Sequence, residues 1–463
     1  MGHFTYKQWT ILAILYVSIV CVFIPVGLMQ PFYPVLAMSK GATPVEFGLV
    51  FGVFRLTMCL GSPLLGKFIK NTGPRFMFAA GVMLVGGCCI LMGVINYIAD
   101  ILVFLGESYA VQAVAGLGTV MTAISATTIV TKEFPEDMGA VFGGTEIAVG
   151  LAQVLGSLMG GILLEYQGFT MPFVLFGSII LLISVMDIFL LPEQSDKTVV
   201  TPEGSNQVTI ISVLRLPCII IFITALVSVC LAFGFFIVTY EIHLEPLNLT
   251  TFQVSAMFAL NSVMFCISSW FAGWVSDKFL SPLTVSLGGA VLTLISFLLL
   301  GPAPFLPILR SLPLEVIANI LFGIGNGTQV VATFTGMGRG IVTSGLPNNL
   351  ATHGLVCGIW NCCFSLGCFI GFTLGGWLLQ IMGYQWACVL LVGMEFLVVT
   401  NLCFFWYSRS YHSRERTCSE TKELIQSPAQ RSTQAINIEQ TFTHSISMGY
   451  GITYGSYQTF SIK

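Results

Sequence analysis

Apolar runs close to or beyond the roughly 20 residues needed to cross a hydrocarbon core of about 30 Å recur twelve times: 9–31, 47–68, 75–97, 101–130, 140–166, 172–191, 217–240, 252–276, 283–300, 312–335, 351–380 and 385–407. Lipid offers the backbone no hydrogen-bonding partner, so runs of this kind are helices. Strands of a membrane barrel would be about 10 residues long with alternating polarity, whereas these runs are longer and apolar all round. Of the 463 residues 55% are hydrophobic and only 8% charged, against roughly 25% charged in a soluble domain. The first run is too long for a signal-peptide core and no small-residue cleavage pattern follows it, so it reads as an uncleaved first span.

Basic residues between the spans set the orientation. With the N-terminus in the cytosol, Lys7, Lys67, Lys70, Arg75, Lys132, Lys197, Arg215, Lys278 and Arg339 fall inside and only Lys40 and Arg310 outside. Both termini are then cytosolic, as an even number of spans requires. The fourteen cysteines are scattered; they form neither a metal-ligand spacing nor a disulfide framework and behave as small hydrophobes. No metal or other cofactor is expected. Nothing points to nucleic acid, and the absence of a nucleophile–base constellation or a phosphate loop excludes the common enzyme classes.

The chain repeats itself. VLGSLMGGILLEYQGF (154–169) and FIGFTLGGWLLQIMGY (369–384) share Gly156, Gly160, Gly161 and Gly168 with Gly371, Gly375, Gly376 and Gly383 at an offset of 215, which upstream pairs Gly143 with Gly358 and Glu146 with Asn361. An offset of 207 pairs Gly66 with Gly273 and Lys70 with Asp277, and sets Gln112, Gly116 and Gly118 against Asn319, Gly323 and Gly325. The expected architecture is an all-α membrane protein of twelve transmembrane helices in two parallel, pseudo-symmetric six-helix bundles. The bundles occupy 1–191 and 217–408, with a cytosolic linker at 192–216 and a disordered cytosolic tail at 409–463.

Several motifs carry a family resemblance. GWVSDK (273–278) resembles the Gly-x-x-x-Asp-Arg/Lys signature of the major facilitator superfamily, and Gly143, Gly156, Gly160 and Gly161 fit its fifth-helix antiporter motif, with Ala152 and Ser157 replacing a glycine and the proline. PFYP (31–34), GPRFMFAAG (73–81) and 365–387 resemble the vesicular amine transporters, most of all their polyamine-transporting branch. The resemblance implies the major facilitator fold. Spans 1, 4, 7 and 10 then line a cavity, spans 2, 5, 8 and 11 flank it, and spans 3, 6, 9 and 12 stand outside. It also puts the glycines of spans 5 and 11 (Gly143, Gly156, Gly160, Gly161; Gly358, Gly367, Gly371, Gly375, Gly376) at the interface of the halves. Small residues one turn apart let backbones approach closely there. Gly273, Asp277 and Lys278 would form a cytosolic latch.

A charge at mid-membrane costs about 3 kcal/mol, so each needs a reason. The candidates are Arg55, Glu107, Glu146, Asp187 and Glu395. A cationic amine needs a carboxylate partner, for which Glu146 ranks first and Glu107 second. Arg55 neutralises one of these glutamates or binds substrate. Gln112, Asn319 and Asn361 offer uncharged hydrogen bonds. Asp187 is close enough to the cytosolic surface to be solvated, and Glu395 has no evident partner. The first span has no acidic residue, unlike the monoamine members, which disfavours monoamines.

Glu420, Leu424 and Ile425 of ETKELI fit an acidic dileucine signal for sorting adaptors, which implies an endosomal, lysosomal or secretory-vesicle membrane. The expected function is a secondary active transporter that moves an organic cation such as a polyamine by alternating access, with proton exchange. The alternatives are a facilitator or symporter of a neutral or anionic metabolite and a transport-dead sensor or scaffold. The partners are a small-molecule substrate, protons, the lipid bilayer and adaptors.

Overall fold

Several expected spans begin beside a residue suited to helix initiation, and the helices follow those signals. A computed structural model describes residues 5–134, 138–191, 210–301, 311–344 and 350–426, and among them every regular element is helical. The helices are α1 Tyr6–Ser39, α2 Pro44–Thr72, α3 Pro74–Val94, α4 Ile101–Glu133, α5 Met138–Gln167 and α6 Thr170–Leu190, then α7 Pro217–Leu244, α8 Thr251–Lys278, α9 Pro282–Leu300 and α10 Leu312–Thr343. A final helical stretch, Leu350–Gln426, is broken at Gly383 (φ 75°, ψ 168°) into α11 (350–382) and α12 (384–426). All twelve apolar runs therefore lie on helices.

Proline occupies the first turn of α2, α3, α7 and α9, where its missing N–H costs nothing. Thr43 and Glu46 form a capping box on α2, as Thr250 and Gln253 do on α8. The Asp100 carboxylate accepts from the Leu102 and Val103 N–H groups at 2.8 and 3.1 Å, which starts α4. Gly168 (φ 77°) and Gly383 turn the chain from α5 into α6 and from α11 into α12. These two glycines are repeat partners, and the left-handed backbone that both require explains why the repeat keeps them.

The packing of the first six helices recurs in the last six. α1 packs on α5, α2 on α4, α3 on α4 and α6; correspondingly α7 packs on α11, α8 on α10, and α9 on α10 and α12. Gly118 abuts Gly81 between α4 and α3, and Gly325 abuts Gly289 between α10 and α9. The two sets meet along α2–α11 and α5–α8.

The glycine stripe corrects one expectation. Gly156 lies against Ile24 and Gly27 of α1 and Gly160 against Leu28 and Phe32 of α1, within one set of six. Gly367, Gly371 and Gly375 likewise lie against Val227, Leu231 and Phe235 of α7. Among the expected interface glycines whose surroundings are described, Gly161, against Ser255 of α8, and Gly376, against Pro44 of α2, face the other set. Adjacent glycines are 100° apart around a helix axis, so one doublet faces two neighbours. A methyl at Gly358 would meet nothing within 4 Å, and the surroundings of Gly143 lie outside the described residues.

The helical part of the chain also extends further than composition suggested. α12 continues through 409–426, where a disordered tail was expected; Arg, Glu, Lys, Leu and Gln in that stretch are strong helix formers. Residues 427–463 and the linker stretch 192–209 lie outside the described residues, and a short helix, Ile210–Leu214, precedes α7.

Candidate functional site

A cavity of about 140 Å³ sits where the two sets of helices face each other, with walls from α1, α2, α4, α5, α7, α8, α10 and α11. Glu146 and Arg55 both line it, and their charges interact. Among the described residues no ion pair or hydrogen bond holds Glu146. Arg55 is 6% exposed. Its guanidinium lies 5.7 Å from the centroid of Phe54 and 5.3 Å from that of Phe364, the latter on α11, so a cation–π contact spans the two sets. Phe23, Phe233, Phe265 and Trp360 complete an aromatic wall, and Gln153, Asn261, Asn326, Asn361 and the hydroxyls of Thr119, Thr122, Thr127 and Thr145 supply neutral polar groups. A lining that is mostly apolar with a few convergent polar groups is typical of a small-molecule site.

Gln112 borders a second, smaller cavity beside the first, together with Arg55, and its amide touches the Met29 sulfur. Asn319 does not reach either cavity. Its Nδ2 donates to the Met257 carbonyl at 2.7 Å and its Oδ1 accepts from Asn261 Nδ2 at 3.1 Å, so it clamps α10 to α8. Glu107 is also displaced from the candidate site: it is exposed on the outside of α4, whose inward face carries Phe104, Ser108 and Val111. Its place on the fourth span suggested a cavity residue, but rotation about the axis turns it away.

Two carboxylates are inside the protein rather than solvated or unsupported. Asp187 is 2% exposed and accepts from Ser18 Oγ at 2.9 and 3.0 Å, which corrects the expectation of a solvated group. Glu395 is fully buried and accepts from Ser228 Oγ at 2.6 Å. Sequence reasoning missed a third site: His243 Nε2 and Glu315 Oε1 are 2.8 Å apart in the interior, with the imidazole stacked on Tyr384 at 3.7 Å between centroids. Both residues lie near the ends of apolar runs, where a charge reads as a boundary.

At the opposite end of α8, Lys278 is exposed and its Nζ lies 5.9 Å from the Trp274 ring. Gly273 faces Val331, and the Asp277 side chain lies outside the described residues. Arg339 Nη2 donates to the Ser276 carbonyl at 2.7 Å, placing a cation at the carbonyl end of α8 where the helix dipole favours one. Glu420, Leu424 and Ile425 fall on the last turns of α12, whose side chains are likewise outside the described residues.

The family model of the Major Facilitator Superfamily matches residues 15–346. The human MFS-type transporter SLC18B1 is 30% identical over 411 residues, 88% of each chain. The mouse synaptic vesicular amine transporter is 24% identical over 377 residues, 78% of this chain and 66% of that one. The crystal structure of a bacterial homolog of the human lysosomal transporter Spinster, inward-facing and occupied, aligns with a TM-score of 0.64 at 14% identity, covering 90% of this chain and 98% of that one. The D-xylose-proton symporter aligns with a TM-score of 0.65 at 12% identity, covering 85% and 97%. A twofold-repeated set of twelve apolar helices around a central cavity, with these relatives, makes the chain a multi-pass integral membrane transporter and not an enzyme: it belongs to the major facilitator superfamily.

Proposed function

We propose that this transporter moves an organic cation, a polyamine or another aliphatic amine, by alternating access and in exchange for protons. The observation that carries the reading is Glu146, a carboxylate on the central cavity that no hydrogen bond or ion pair holds among the described residues, opposite a wall of aromatic faces. A protonated amine there gains an ion pair with the carboxylate and cation–π contacts with the rings; its methylenes meet apolar wall. When the amine leaves, a proton takes its place, since a bare carboxylate in so apolar a cavity is costly. One site then serves amine and proton in turn, which is the minimum an exchanger needs. The similarity to a synaptic vesicular amine transporter supports an amine, and the absence of an acidic residue in α1 favours a substrate other than a monoamine.

The face at which α1 begins is the cytosolic one, on the balance of basic residues. Glu420, Leu424 and Ile425 are then within reach of sorting adaptors and direct the protein to endosomes, lysosomes or secretory vesicles.

A second reading rests on Arg55, which borders both central cavities: a facilitator of an anionic metabolite held by the guanidinium. Uptake of radiolabelled spermidine into proteoliposomes, with and without an acidic interior, separates the two. The exchanger takes up spermidine only with the gradient, and Glu146→Gln abolishes or uncouples that uptake while folding and trafficking stay normal. Gradient-independent uptake of an anion with no spermidine signal, or unchanged pH-dependent uptake by Glu146→Gln, overturns the exchanger centred on Glu146.

A further inference from the structure

A cavity larger than the central one lies apart from it. At the face opposite the start of α1, a cleft of about 840 Å³ opens between the end of α1, the turn from α5 into α6, and the junction of α7 and α8. That volume is in the range of sites that hold small organic molecules. One set of helices supplies an apolar wall, including Phe32, Val35, Leu164 and Phe169; the other supplies Glu241, Glu245 and Asn248. Glu241 Oε2 is buried and accepts no hydrogen bond among the described residues.

No lysine, arginine or histidine is among the residues that line the cleft. The basic groups nearest in sequence point elsewhere. Lys40 Nζ donates to the carbonyls of Asn96 and Ile98 at 2.9 and 2.6 Å, and His243 faces Glu315 inside the bundle. The cleft therefore presents one sheltered and one exposed carboxylate, four residues apart on the chain, to whatever enters, opposite methylene-friendly walls. A shielded carboxylate without a donor is costly, and an ammonium relieves that cost with both charge and N–H donors. A metal ion would need several converging oxygens, which an apolar opposite wall does not provide.

We propose that this cleft is a second binding site for the same class of organic cation, in which Glu241 and Glu245 hold an ammonium and Phe32 and Phe169 cover the methylene chain. The site rests on the proposed amine substrate and extends it: a cation released from the central cavity toward this face stops here first, and a cation arriving from this face is captured here.

The test is spermidine binding by titration calorimetry to the purified full-length protein in detergent, for the wild type, Glu146→Gln, and Glu146→Gln combined with Glu241→Gln and Glu245→Gln. The wild type is expected to bind more than one equivalent. Glu146→Gln should keep the weaker phase, and the added pair should weaken that phase at least tenfold. Ser39→Lys, at an exposed position of the cleft, brings a competing ammonium without disturbing Glu241 and should weaken the same phase. A single equivalent in the wild type that vanishes in Glu146→Gln overturns the second site and leaves the amine reading standing, as does a weaker phase that ignores Glu241, Glu245 and Ser39. A cleft that takes calcium in preference to spermidine overturns the organic-cation assignment. No spermidine binding by the wild type overturns both.

Discussion

Cys59 of α2 and Cys362 of α11 face each other across the contact between the two sets of helices, with their sulfurs 3.2 Å apart. A disulfide has an S–S length of about 2.05 Å, so closing the bond needs an approach of about 1.2 Å, within the reach of two side-chain rotations and small helix shifts. Treating the membrane-embedded protein with copper phenanthroline should therefore join α2 to α11. Because the two residues are 303 positions apart, a protease site placed in 192–209 gives the readout: after cleavage the fragments stay together on a non-reducing gel only where the bond has formed. Alternating access requires these helices to change their separation, so transport should fall in proportion to the cross-linked fraction and return with dithiothreitol. Cys362→Ser should remove both the cross-link and its effect, which excludes a contribution from the neighbouring Cys363. Full transport by a cross-linked sample would refute the view that the halves move apart along α2–α11. Failure of the thiols to couple would refute the packing itself.

Two further outcomes test the interior. A methyl at Gly156 would sit 2.5 Å from the Ile24 carbonyl oxygen and 3.0 Å from Gly27 Cα. Overpacking of that kind costs about 1–3 kcal/mol, against which the helix-propensity gain of up to about 1 kcal/mol is smaller, so Gly156→Ala should lower the melting temperature in detergent while Gly358→Ala, in open space, leaves or raises it. Removing the carboxylate at Glu315 takes away the Oε1 that lies 2.8 Å from the buried His243 ring. Glu315→Ala should destabilise by about 3 kcal/mol in the same melt, and a change below about 1 kcal/mol would show that the pair is solvated.

What the sequence revealed and what it hid divide along a physical line. Span length and glycine spacing are local properties, so the twelve helices, the breaks between them and the repeat were legible. Rotation about each helix axis was not, because helices apolar on nearly every side give no dominant face. Glu107 therefore looked like a cavity residue and is exposed, while Asp187 looked solvated and is buried. The spacing of Gly156 and Gly160 fixed their common face but not which neighbour that face would meet, and it meets α1. Glu146 and Arg55 were each legible as candidates because both interrupt apolar runs, but which glutamate Arg55 would face was not, and the structure puts Arg55 and Glu146 on one cavity. Glu241 and the His243–Glu315 pair were missed because they sit near run ends, where a charge is unremarkable.

Apart from Glu315, which pairs with His243, the carboxylates held within the helices are either tied to a serine or face a cavity, and the serine ties follow the repeat. Ser18 on α1 donates to Asp187 on α6, and Ser228 on α7 donates to Glu395 on α12. The serines are 210 residues apart (228 − 18 = 210) and the carboxylates 208 (395 − 187 = 208), between the two offsets of the repeat, 207 and 215. The first and last helix of each set are thus tied by the same serine–carboxylate clamp, with aspartate in one copy and glutamate in the other. Glu146 and Glu241 lack any such donor among the described residues and face cavities instead. A carboxylate tied to its own half can serve stability through the whole cycle, whereas one facing a cavity between the halves gains and loses partners as they move. Ser18→Ala and Ser228→Ala should therefore each cost about 1–3 kcal/mol of stability by leaving a buried acceptor unmatched, read as a lower melting temperature, while the protein that remains folded keeps its substrate affinity. Loss of affinity at unchanged melting temperature in either variant would move Asp187 or Glu395 from the scaffold into the transport pathway.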